Sequence, residues 1–478
     1  MGIDHGELHV LFFPFPANGH IIPCVDLARV FASRGVKSTI VTTPLNVPLI
    51  ARTVGKARKA SIQIRTLKFP SPEETGLPEG CENSDSALSP DKIIAFLKAT
   101  LLLRDPLEHL LQQEHPTCLV ADMFFPWATH SAAKFGIPRI VFHGLGFFPL
   151  CVLASVRQYK PQDKVSSYTE PFVVPNLPGE VTLTKMQLPQ TPKDDEVFTQ
   201  LLEEANESEL KSFGVIANSF YELEPVYAEH YRNHLGRRAW HLGPVSLCNR
   251  DTEEKASRGR EAAIDEHACL KWLDSKEKDS VVYVCFGSMT SFGEAQLREI
   301  AMGLEGSGQN FIWVVKKGSS EKVEWLPEGF EERVEGGGKG LIIKGWAPQV
   351  MILEHEAVGG FVTHCGWNSA LEGVCAGVPM VTWPMYAEQF YNAKFLNDVI
   401  RIGVGVGVQT WIGMMGGVAV KKEVIENAVK RIMVGEEAQE MRNRAKELAL
   451  IATKAVQEGG SSYSDFNSLI HDLSLHAH

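Results

Sequence analysis

"GGFVTHCGWNSALEGVCAGVPMVTW", residues 359–383, decides the fold. "GGFVTH" (359–364) and "VPMVTW" (378–383) are apolar runs fit for strands covered on both faces, and a helix starting at Asn368 joins them. A strand, a helix and a second strand at this spacing form a βαβ unit, which demands a parallel sheet with helices on its faces. Core packing does not explain the polar residues at the join, His364 to Ser369. In an open α/β sheet, ligands sit beyond the carboxyl ends of the strands. The helix N-terminus there offers unpaired N–H groups, and His364, Asn368 and Ser369 add donors. Asn368 or Ser369 alone could simply cap the helix. Taken with its neighbours, the group favours an anion, and a diphosphate is the natural guest.

The same alternation extends in both directions. "LHVLFFPF" (8–15) reads as a buried strand, followed by the loop "PANGH" (16–20), a helix from Ile21 to Arg34 stopped by Gly35, and the strand "VKSTIVTT" (36–43). "CLVAD" (118–122) and "RIVFH" (139–143) are further short buried strands. At "DTEEKASRGREAA" (251–263) the chain turns polar and charged, as a linker does. The alternation then restarts with "VVYVCF" (281–286), a helix over 294–308 and "FIWVV" (311–315). The pattern predicts an α/β protein with two doubly wound domains: 1–250, a linker 251–263, and 264–457, with a final helix over 458–478 returning toward the first domain.

Composition narrows the function. With 478 residues, 44% apolar and 22% charged, the chain is a globular protein of two domains. Its charge of −11 and its lack of a Lys/Arg block argue against nucleic acid. Nine scattered cysteines, with no C-x-x-C pair, suit reduced thiols in the cytoplasm. The N-terminus lacks a signal-peptide pattern, and Gly6 stands where myristoylation needs Ser or Thr. The most apolar window, 140–156, is interrupted by His143, Gly144, Gly146 and Pro149, so it is not a membrane span.

"WAPQVMILEHEAVGGFVTHCGWNSALEGVCAGVPMVTWPMYAEQ" (346–389) closely resembles the signature box of plant family 1 UDP-glycosyltransferases, and the likeness spans nearly the whole chain. The resemblance implies two Rossmann-like domains facing across a cleft, the GT-B fold. It also assigns roles. Trp346 stacks on uracil, with Ala347 and Gln349 near the base or ribose, and Glu372 accepts from the ribose hydroxyls. His364, Asn368, Ser369 and Ser288 hold the diphosphate. Glu388, Gln389 and the Trp367 backbone bind the sugar, and Gly19 and Tyr386 join the donor site. The residue types suit these contacts, since carboxylates accept from hydroxyls and an indole face suits a pyrimidine.

Opposite the donor a base is needed. His20 and Asp122 follow strands of the same sheet, so they can meet. A loop histidine is often only a surface residue, and a strand-end Asp is often a cap. The family contexts "NGH" (18–20) and Asp122–Trp127 favour a dyad, in which His20 deprotonates an acceptor hydroxyl and Asp122 orients the ring. Displacement at an α-linked donor then gives a β-glucoside. No D-x-D pair, H-E-x-x-H or Cys/His cluster occurs, so neither metal nor cofactor is expected.

Phe15, Phe124, Phe125, Phe147, Phe148 and the segment around Met186–Leu202 are candidates for an apolar acceptor pocket, although about half of such phenylalanines belong to cores. The expectation is a metal-independent, inverting UDP-glucose-dependent O-glucosyltransferase. It would act on a hydroxyl or carboxyl of a triterpenoid, flavonoid or similar plant metabolite, as a cytoplasmic monomer. Two alternatives keep the fold: a UDP-galactose or UDP-glucuronic acid donor, or a non-catalytic UDP-sugar binder. A dinucleotide oxidoreductase lacks its G-x-G-x-x-G, and a serine hydrolase lacks its G-x-S-x-G.

Overall fold

The computed structural model describes residues 8–55, 62–87, 89–189, 196–316, 326–410 and 419–476. Positions 1–7, which include Gly6, lie outside these, as do 190–195 of the segment around Met186–Leu202.

Two parallel sheets organise the chain. The first contains β1 (His9–Phe13), β2 (Lys37–Thr42), β3 (Ile62–Thr66), β4 (Cys118–Asp122), β5 (Arg139–Phe142), β8 (Gly214–Ala217) and β9 (Ala239–His241). A short antiparallel pair, β6 (Pro171–Val173) and β7 (Thr182–Thr184), stands apart. The second sheet contains β10 (Val281–Cys285), β11 (Asn310–Val315), β12 (Gly340–Lys344), β13 (Val358–Thr363), β14 (Met380–Thr382) and β15 (Gly403–Gly405).

The strand order is β3-β2-β1-β4-β5-β8-β9 in the first sheet and β12-β11-β10-β13-β14-β15 in the second. In each, the order reverses beside the first strand, between β1 and β4 and between β10 and β13. Those are the topological switch points, where connections leave in opposite directions and open a crevice. His20 follows β1 and Asp122 ends β4, and Ser288 and His364 follow the second pair. The chain belongs to the GT-B class: two Rossmann-like α/β domains.

Burial explains the strand composition. β1, β4 and β13 are buried at every position, as parallel strands covered by helices on both faces must be. The predicted elements occur with shifted ends. The first helix runs Asn18–Ser33, three residues earlier than its expected start, so His20 lies in its first turn rather than in the loop. The helix after β13 runs Trp367–Ala376.

Two regions differ in character from their polar appearance. Within 251–263, Thr252–Ser257 is a helix capped by Asp251, whose side chain accepts from Glu254 N at 2.8 Å. Two of its charges are spent internally: Arg258 pairs with Asp26 and Glu372, and Glu254 with Arg29. The last helix, Ser461–His476, packs on the first domain through Phe466, Leu469, Ile470 and Leu473, all at most 1% exposed. At about 1.5–3 kcal/mol per buried large side chain, these four contribute roughly 6–12 kcal/mol before entropy, so this is a docked element rather than a tail.

Candidate active site

His20 Nδ1 lies 2.7 Å from Asp122 Oδ2. The carboxylate is acceptor-only, so Nδ1 carries the proton and Nε2 is left with its lone pair. The other Asp122 oxygen accepts from Phe124 N at 3.0 Å, and Arg139 donates to the Asp122 carbonyl at 2.7 Å, which locks the strand end. Asp122 is 3% exposed while His20 keeps 27%, so the carboxylate is fixed and the ring reaches the cleft. Burial opposes the imidazolium, but the Asp122 charge and hydrogen bond outweigh it and raise the His20 pKa above 6.5. Glu388 and Asp85 push the same way.

Across the cleft, His364 follows β13. Its ring is hemmed in by Gly287 and Gly366, where an added Cβ would fall 2.7 Å and 2.6 Å from it. Only glycine permits that approach, and Gly287 also has φ +75°. Burial pulls the His364 pKa down to about 4, so it is a neutral donor at pH 7. His364 Nδ1 is buried without a protein partner, an orphan that a polar ligand would satisfy. Cys365 (φ 64°) and Ala387 (φ 52°) adopt left-handed backbone beside His364 and Glu388, the kind of strain that gathers at ligand sites.

The remaining donor-site candidates are already interlocked. Gln349 Nε2 donates to Glu372 Oε2 at 2.7 Å and to Ser369 Oγ at 3.0 Å. Glu372 Oε1 accepts from Arg258 Nη1 at 2.7 Å. Ala347 is buried, and its carbonyl accepts from Gln349 N. The Trp346 indole lies against Gly259, where a Cβ would meet the ring at 2.4 Å. Ser288 is half-buried in the turn after β10. Glu388 has its pKa raised by burial, against hydrogen bonds from Asn392 and the Trp367 N–H and the charge of His20. Tyr386 is pushed up to about 12 by burial.

Asn368 departs from the role expected of it, and the side chains of Trp367 and Gln389 are partly committed to protein partners. The Asn368 side chain donates to the Gly19 carbonyl at 2.7 Å and accepts from Asn218 at 3.3 Å, so it ties the domains together. The Trp367 indole is likewise inward, 3% exposed, donating to the Asn218 carbonyl at 2.7 Å. Gln389 spends its side-chain oxygen on Met385 N (2.9 Å) and Tyr386 N (3.1 Å), so it offers a sugar only its amide N–H groups.

The five phenylalanines divide. Phe15 and Phe124 flank His20, with ring centroids 5.7 and 5.6 Å from the imidazole. Phe125, Phe147 and Phe148 are fully buried and are corrected to core. Phe125 stacks on Phe13, Phe147 packs on His241 and Tyr231, and Phe148 packs on Tyr227 and Phe395. Beyond Met123 lies a cavity of about 50 Å³ lined by Leu150, Leu153 and Leu202 among others. Small-molecule sites typically span ~300–1,000 Å³, so this cavity alone does not define an acceptor pocket.

Several residues escaped the sequence reading because their partners are remote in the chain. Asp85 accepts from the Asn18 backbone and side chain at the start of the first helix, placing a carboxylate at its positive end. Glu224 accepts from Phe147 N (2.8 Å) and Phe148 N (2.7 Å), and burial raises its pKa to about 7. Arg258 is the third. No local pattern marks any of them.

Among the described residues, no group of three or more His, Cys, Asp or Glu side chains could hold a metal ion, and no helix is long and apolar enough to cross a membrane.

Comparison with known proteins adds to the geometry. The family model described as UDP-glucoronosyl and UDP-glucosyl transferase matches residues 260–446. The chain is 54% identical to scopoletin glucosyltransferase of Nicotiana tabacum, over 99% of each chain. It is also 54% identical to anthocyanin 3'-O-beta-glucosyltransferase of Gentiana triflora, again over 99% of each. Among solved structures it is similar to Glycyrrhiza uralensis UGT73P12 complexed with glycyrrhetinic acid 3-O-monoglucuronide. That likeness has a TM-score of 0.90 and 42% identity, and covers 98% of this chain and 96% of the other.

Proposed function

The chain belongs to the plant family 1 UDP-glycosyltransferases, and from that premise we propose that it transfers glucose from UDP-glucose to a hydroxyl or carboxyl of an apolar plant metabolite. The observation that carries the reading is the His20–Asp122 pair, which leaves Nε2 with its lone pair and whose ring feels the charge of Glu388 from the second sheet's side. His20 Nε2 takes the acceptor proton as the acceptor oxygen attacks the anomeric carbon. The bond from that carbon to UDP breaks, its electron pair leaves on the diphosphate, and the centre inverts to a β-glucoside. A base so placed contributes about 10²–10⁴-fold. Neutral His364, Ser369, Ser288 and the N–H groups of the helix Trp367–Ala376 stabilise the departing charge. Trp346, Gln349 and Glu372 hold the uridine, and Glu388 and Gln389 the sugar.

The acceptor class follows from apolar Phe15 and Phe124 beside the base, and from relatives named for scopoletin and anthocyanin. The structural neighbour complexed with glycyrrhetinic acid 3-O-monoglucuronide supports widening it to polycyclic alcohols. We assign 1–250 to the acceptor domain, 251–263 to the linker, 264–457 to the donor domain and 458–478 to the returning helix, in a cytoplasmic monomer. The test incubates equimolar UDP-sugars with mixed flavonoid, coumarin and triterpenoid aglycones and reads the products by mass spectrometry. A hexose adduct on an aglycone hydroxyl or carboxyl is expected. UDP binding without any product on any acceptor would favour a non-catalytic binder.

A further inference from the structure

We infer that Arg258, in the linker, is a positioning residue for the donor: it holds the Glu372 carboxylate in the orientation from which Glu372 accepts the ribose hydroxyls. The inference rests on the reading of Glu372 given above. Arg258 Nε donates to Asp26 Oδ2 and Nη1 to Glu372 Oε1, both at 2.7 Å. Its side chain is 9% exposed, and those of Asp26 and Glu372 are 0% and 5% exposed. Asp26 belongs to the first helix, and its other oxygen accepts from Asn249 Nδ2 at 3.0 Å. The anchor is therefore itself fixed.

The donor count explains why this contact can aid rather than block the nucleotide. A carboxylate has about four lone-pair sites, two on each oxygen. Arg258 uses one on Oε1, and Gln349 uses one on Oε2 at 2.7 Å. One site on each oxygen remains, a match for two adjacent hydroxyls. Without the guanidinium, a carboxylate this buried would lose its counter-charge and one of its two restraints.

The next residue makes the same link to the base. Gly259 N donates to Thr53 Oγ1 at 3.0 Å, and its backbone, at φ +95°, presses on the Trp346 ring. Two successive linker residues thus fix the carboxylate and the indole from the first domain's side. Two carboxylates at separate nitrogens of one fork also require Arg, since a lysine ammonium is a single point charge.

Calorimetry with UDP and its 2′,3′-dideoxy analogue tests this in the wild type, Glu372→Gln, Arg258→Met and Arg258→Lys. The wild type should prefer UDP by about tenfold or more, the scale of losing hydroxyl partners of a buried carboxylate. Glu372→Gln should lose most of that preference. Arg258→Met should lose at least about half of it on a logarithmic scale, with little change in the dideoxy Kd, and Arg258→Lys should recover part. A purely structural salt bridge would weaken both ligands alike and keep the ratio, which overturns the inference. If Glu372→Gln itself keeps the wild-type ratio, the reading of Glu372 fails and the inference with it. If only Arg258→Met keeps the ratio, the inference alone fails. Should Arg258→Met not fold by circular dichroism, the ratio in Arg258→Lys decides: a wild-type value overturns the inference, and a reduced one supports it.

Discussion

Asn368 Nδ2 donates to the Gly19 carbonyl at 2.7 Å, joining the helix after β13 to the residue before His20. That carbonyl is available because its helical partner, four residues on, would be Pro23, which has no N–H. A proline inside the first helix thus frees an acceptor for the opposite domain. Pro23→Ala returns a competing N–H. A single such bond is worth about 0.5–1.5 kcal/mol, and a carbonyl can accept twice, so the KM for UDP-glucose should rise by no more than about tenfold while kcat changes less. Steady-state kinetics of the variant would show it; an unchanged KM would mean the contact does not help assemble the donor complex.

His20→Ala should lower kcat by about 10²–10⁴-fold and leave UDP affinity nearly unchanged, since the proposed role of the ring is to take the acceptor proton. Because Asp122 raises the His20 pKa above 6.5, the active neutral ring is formed only as pH rises through that higher value. Rate should therefore climb with pH on an acid limb centred above 6.5. Asp122→Asn removes the charge, so the limb should shift to lower pH even as the maximum falls. A pH profile of kcat/KM for both proteins checks the sign.

Gln389→Glu separates two roles of one side chain. A carboxylate can still accept from Met385 N and Tyr386 N, so thermal stability should hold, but the amide donor proposed for the sugar is lost. We expect KM for UDP-glucose to rise by roughly tenfold, from the ~1–3 kcal/mol cost of an unmet partner. In the wild type, competition among equimolar donors should favour UDP-glucose over UDP-galactose and UDP-glucuronic acid. Equal incorporation would sink that assignment.

Phe124 and Phe125 are adjacent and should behave oppositely. Phe124→Ala should raise the acceptor KM with little loss of stability, because its ring borders His20. Phe125→Ala empties a fully buried site stacked on Phe13, and should cost about 3–5 kcal/mol in chemical denaturation.

Activity should survive excess EDTA. On the proposed mechanism the leaving diphosphate is met by a helix N-terminus and neutral donors around His364, which need no divalent ion to act. Loss of turnover that is restored by adding back Mg²⁺ or Mn²⁺ would refute this account.

The strand and helix alternation, the two sheets and the polar join at 364–369 were legible in the chain itself. Buried parallel strands write continuous apolar runs, and a ligand-binding helix start breaks that pattern with residues a core does not use. His20 and Asp122 were legible for the same reason: each lies at the carboxyl end of a strand, and strand ends converge. What only the tertiary structure decided is which atoms remain free once the two sheets face each other. Phe124 borders the base while Phe125 is core, because one residue of offset turns a side chain from cleft to interior. Gln389 keeps only its amide N–H groups, Asn368 bridges to Gly19, and Arg258 leaves a polar linker for a buried carboxylate pair. Periodicity reports which face of an element is apolar. It carries no information about a hydrogen bond between positions 114 or 349 residues apart, and those bonds determine what each donor-site group can still offer a ligand.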